Sequence, residues 1–70
     1  MYDIHYVVSR GTDDPIQTRT TAASHLDSVI ASAISQCHDV KRIYPTVIGF
    51  YVRDKASGDI VYRWYYDDHY

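Results

Sequence analysis

This sequence predicts an α+β fold: a small two-layer ββαββ domain spanning residues 1–70, with one antiparallel sheet and one helix packed on one of its faces. Three observations predict it. The chain starts with a period-two alternation, carries an apolar stripe at helical spacing in its middle, and ends in two aromatic, alternating runs joined by a glycine-containing turn.

Tyr2, Ile4, Tyr6 and Val8 alternate with Asp3, His5, Val7 and Ser9, the period of a strand with one buried face, so Tyr2 and Tyr6 should face the helix. Gly11-Thr12-Asp13-Asp14-Pro15 breaks the pattern with the residue types of a turn. Residues 16–22 (IQTRTTA) then read as a second strand returning beside the first, polar enough for a sheet edge. At Ser24 to Asp27 the pattern is that of a helix start, with Ser24 as the cap and Asp27 complementing the positive end of the helix. Leu26, Val29, Ile30, Ala33, Ile34 and Cys37 form a single apolar stripe. That stripe predicts a helix ending about Cys37 or His38, with Lys41 and Arg42 just past its negative pole.

Pro45 bars helix continuation, and residues 46–54 (TVIGFYVRD) and 59–67 (DIVYRWYYD) read as the third and fourth strands. A three-residue loop of Ala56, Ser57 and a left-handed Gly58 would set Lys55 opposite Asp59. The pairs Val52 with Tyr62, Tyr51 with Arg63, Phe50 with Trp64 and Gly49 with Tyr65 follow, whereas a four-residue loop would oppose apolar to polar. Ile48, Phe50, Val52, Ile60, Tyr62, Trp64 and Tyr66 then share the face that the helix covers.

At 70 residues, a single core supplies only about 3 to 5 kcal/mol of net stability. The lone Cys37 rules out an internal disulfide, which points to a reducing cytoplasm and makes a homodimer or an obligate partner an alternative support. The opening MYDIHYVVSR enters a strand pattern without a signal-peptide pattern, and no apolar run approaches the roughly 18 residues of a membrane span. The expectation is a cytoplasmic chain with no membrane partner. A net charge of -2 argues against general nucleic-acid binding. All nine acids are Asp, five of the seven cations are Arg, and there are eight Tyr. Tyr and Arg without Lys and Glu is the bias of buried interface centres, although Tyr also suits strands and Asp suits turns.

No constellation points to catalysis, a cofactor or a metal. Cys37, His38 and Asp39 are adjacent on a helix, about 100° apart in direction, so they do not converge on one ion. His5, His25, His38 and His69 are scattered, and His5 reads as a surface residue. Gly11, Gly49 and Gly58 are too far apart for a phosphate loop. The informative surface is the hairpin face away from the helix. There Val47, Gly49, Tyr51 and Arg53 lie beside Val61, Arg63, Tyr65 and Asp67, an uncovered patch of rings and guanidinium groups. Tyr51, Arg53, Arg63 and Tyr65 are the candidate partner-binding residues, flanked by the tail residues Asp67, Asp68 and Tyr70, whose carboxylates suit an Arg-rich groove on a partner. The same pairs could instead only stabilise the hairpin, at about 0.2 to 1 kcal/mol each, or stack the bases of a single-stranded nucleic acid.

The layout resembles the small phage and mobile-element proteins that disable host machinery, anti-CRISPR proteins in particular. The resemblance is architectural. It rests on a first strand from the initial Met (MYDIHYVV), a second strand running into a capped helix (TRTTAASHLDSVIASAI) and a closing aromatic hairpin (VIGFYVRD and DIVYRWYY). It implies a non-enzymatic inhibitor that occupies a surface on a host protein or protein complex. Nucleic acid is the less favoured partner on the ground of net charge.

Overall fold

The computed structural model describes residues 1–9, 15–22 and 24–69, with the side chains of Asp68 and His69 outside the description. The opening alternation forms strand β1 (Tyr2–Val7), and the Thr-rich segment forms β2 (Gln17–Thr21), antiparallel to it. The turn expected over residues 11–15 lies, except for Pro15, outside the described residues. Helix α1 (Leu26–Ile43), β3 (Gly49–Asp54) and β4 (Ile60–Tyr65) follow, and a 3-10 helical turn spans Tyr66–His69. The strands make one antiparallel sheet in the order β2-β1-β3-β4, and α1 packs on the central pair, β1 and β3. The α+β fold read from the sequence is the fold observed. No described helix is long and apolar enough to cross a membrane.

Between α1 and the sheet, Ile4, Tyr6, Val29, Ala33, Cys37, Val40, Val47, Phe50, Val52 and Trp64 form the main core, with Tyr2, Leu26, Ile34, Tyr62 and Tyr66 packed at its margin. Rings do much of the filling: Phe50 stacks on Trp64 at 5.6 Å and meets Tyr6 edge-on at 6.0 Å. Aromatic pairs of this kind bury large area per residue in a chain short of aliphatics.

The helix differs from its expectation at both ends. Its N-cap is His25, without a side-chain capping bond, so Ser24 lies one residue outside the cap while Asp27 does occupy the first turn. Its C-terminus is Ile43 rather than Cys37 or His38, which puts Lys41 and Arg42 inside the last turn. Val40 explains the extension: it falls three residues after Cys37, on the same stripe, and is fully buried. Pro45 supplies the stop, because the residue before a proline is driven out of helical geometry, and Tyr44 sits at φ -122°, ψ 84°.

The four pairs from Gly49–Tyr65 to Val52–Tyr62 hold as expected, but Arg53 pairs with Ile60. Asp54 donates its amide to the Asp59 carbonyl at 2.9 Å, so four residues, Lys55 to Gly58, make the loop, and Gly58 is left-handed at φ 77°. A β-bulge at Val61 absorbs the extra residue and restores the apolar register beyond it. Ile60 is thereby turned from the helix face to the opposite one, where Ile48 also packs, since it precedes the first residue of β3. Val47, expected on the outward face, is instead part of the helix-side core.

Candidate functional site: the sheet face away from the helix

On the face opposite α1, Val7, Tyr51 and Tyr65 form a second small core, with Ile48 and Ile60 packed against it. Tyr51 is flanked across the ladders by His5 on β1 and Arg63 on β4. The His5 ring stacks on Tyr51 with centroids 4.7 Å apart. Tyr65 covers Gly49, where a Cβ would come within 2.9 Å of the Tyr65 ring and would also collide with backbone, so only glycine lets the ring lie down on the sheet.

The expectation of an exposed aromatic patch is corrected by this packing. Tyr51 is 6% and Tyr65 7% exposed, because neighbouring side chains and a glycine let both rings lie along the sheet instead of standing into solvent. The exposed chemistry of the face belongs to the charged residues. Arg63 is exposed on the edge strand. Arg53 is half-buried, donates to the Gly58 carbonyl at 3.2 Å and lies 6.0 Å from the Tyr51 ring centre. Asp67 is exposed in the 3-10 turn. The side chain of Asp68 and all of Tyr70 lie outside the described residues.

His5, expected to be a plain surface residue, is half-buried within this face. Its Nδ1 hydrogen-bonds Thr18 Oγ1 at 2.9 Å, while Nε2 is buried with no partner among the described residues. Burial pulls the imidazole below its ordinary value of 6.5, the Asp3 carboxylate opposes this, and the Arg53 guanidinium adds to it. Thr20 donates to Asp3 at 2.6 Å two pairs further along the same ladder. Thr18 and Thr20 of β2 are thus cross-strand partners of polar side chains on β1. The period-two pattern does place His5 and Tyr51 on one face of their strands, but the β1–β3 pairing that brings them together carries no local signal.

The Cys37-His38-Asp39 segment does not assemble a reactive centre. The Cys37 thiol is fully buried and burial pushes its pKa up, against smaller opposing effects of a Tyr66 hydrogen bond and of Lys41. His38 Nδ1 and Tyr66 Oη share a hydrogen bond of 3.1 Å. Lys41 lies 4.9 Å above the Tyr66 ring and donates to the carbonyls of Val47 at 2.8 Å and Pro45 at 3.2 Å, tying the helix end to the entry of β3. Among the described residues, no three His, Cys, Asp or Glu side chains are grouped to hold a metal. Comparison with protein-family models, with curated proteins and with solved structures found no match.

Proposed function

We propose that the chain is a non-enzymatic protein-binding module, a small inhibitor of the anti-CRISPR type that docks on a host protein complex in the cytoplasm. The observation that carries this reading is Arg63, an exposed guanidinium in register with the buried Tyr51 ring, on a face whose floor is already packed. Arginine projecting from a rigid apolar floor is a common anchor of protein interfaces, since little side-chain order has to be created on binding. Arg53 and Asp67 extend the charged rim, with Asp68 and Tyr70 following in the chain. Tyr51 and Tyr65 support the contact from below. Base stacking would need an open ring face, and rings 6% and 7% exposed do not favour it.

The test is a pull-down from bacterial lysate with the wild-type chain and an Arg53→Glu, Arg63→Glu double variant of matched thermal stability. We expect a defined complex with the wild type alone. Recovery of the same proteins by both chains, or of none by either, rejects the reading. A mass twice that of the chain by light scattering, lost in the variant, would put a homodimer in its place.

A further inference from the structure

A helix is about 10 Å across and strands lie about 4.8 Å apart, so one helix covers roughly two strands of a sheet. Because α1 rests on β1 and β3, the helix side of edge strand β2 is left as a cleft of about 510 Å³. That volume falls within the range of about 300 to 1,000 Å³ typical of small-ligand sites. Ile4 and Val29 floor the cleft, Arg19, Thr20 and Thr21 line it from β2, and Ser28, Ser32 and Gln36 line it from α1. Spaced four apart, those last three make one polar stripe along the helix.

Among the described residues, the lining is rich in donors and contains one ionic side chain, Arg19, and no carboxylate. Gln17, two residues earlier on the same face of β2, holds the guanidinium in place: with its amide oxygen turned toward Arg19 it accepts from Nε at 3.1 Å and from a terminal nitrogen at 3.3 Å. This partner is neutral, and Arg19 forms no ion pair among the described residues, so no described carboxylate neutralises its charge. Gln36 is oriented as well. Its Oε1 accepts a long hydrogen bond of 3.5 Å from the Tyr6 hydroxyl, which leaves the two Nε2 hydrogens as donors. Burial pushes the Tyr6 phenol up to about 12, so it remains a donor at neutral pH.

We propose that this cleft binds a small hydroxylated oxyanion, with a phosphate monoester or carboxylate seated on Arg19 and the Ser28 and Ser32 hydroxyls and Gln36 amide meeting the rest of the molecule. Guanidinium geometry suits either anion, through paired charge-assisted hydrogen bonds. The cleft lies on the opposite side of the sheet from Arg53 and Arg63, so it stands or falls apart from the partner reading.

The test is a ¹⁵N NMR titration of the full chain with inorganic phosphate, ribose 5-phosphate and citrate in turn, at constant ionic strength. We expect saturable shifts at the Arg19 side chain and the amides of Ser28, Ser32 and Gln36, with affinity at least about tenfold weaker in Arg19→Gln and weakened in Ser32→Val. The tighter arm assigns the anion as phosphate or carboxylate. The proposal is overturned by an absence of saturation up to about 20 mM with all three probes, by equal affinity in Arg19→Gln, or by shifts spread equally over Lys55, Arg42 and Arg63.

Discussion

Trp64 stacks on Phe50 at 5.6 Å, meets the Tyr66 ring edge-on at 4.6 Å, and is 8% exposed. Truncating such a ring to Ala costs about 3 to 5 kcal/mol, which is comparable to the whole net stability of a domain this small. Trp64→Ala should therefore show no cooperative melt by far-UV circular dichroism; a melt near the wild-type temperature would remove Trp64 from the core. His5 makes the stability depend on pH. Its folded pKa is below its unfolded value, so the unfolded chain binds the proton more readily, and the stabilisation is complete above about 6.5 and lost as the pH falls through the folded pKa. The midpoint should drop as the pH falls below about 6.5, and His5→Gln should flatten that drop; an unchanged slope in the variant would contradict it. Alternation along one strand made Trp64 legible from sequence. The packing of His5 was not legible, because it depends on a pairing between strands from opposite ends of the chain.

At the scale of elements, the hairpin shows how a register survives a loop of unfavourable length. Residues 49 to 52 keep the pairing that apolar matching requires, and the Val61 bulge takes up the residue that the four-residue loop would otherwise have imposed on the whole strand. Gly58 is central to that loop: its φ is 77°, its amide donates to the Asp54 carbonyl at 2.7 Å, and a Cβ there would touch nothing within 4 Å. Gly58→Ala thus isolates the backbone cost, about 1 to 2 kcal/mol, and should lower the midpoint by at least about 4 °C; an unshifted midpoint would refute the left-handed assignment. The turn residues announced the left-handed glycine, whereas the bulge is a compromise between loop geometry and sheet packing and has no residue signature of its own. The helix end is obscured in the sequence for a different reason. Asp39, Lys41 and Arg42 look like a polar exit but lie on the exposed or half-buried side of a helix whose stripe continues to Val40.

For the whole molecule, one helix on four strands divides the surface into two unlike regions. Away from the helix, a packed floor of rings is rimmed by Arg53, Arg63 and Asp67; beside the helix, β2 is left open under a row of hydroxyls, an amide and one guanidinium. The sequence carried the first region as a set of residues but misplaced its rings in solvent, since strand parity states which face a side chain takes and not whether neighbours cover it. The cleft was not readable at all, because it exists only once the helix sits on β1 and β3 and not on β2. With a net charge of -2, neither region draws on a large overall field, so recognition has to come from local groups. The proposed binding of a protein by Arg63 and its rim is decided by titrating the purified partner recovered by the wild-type chain against wild type and Arg63→Glu, with both melts recorded alongside. At least about tenfold weaker binding by the variant at an unchanged midpoint is expected, and equal affinity of the two folded chains would rule the site out.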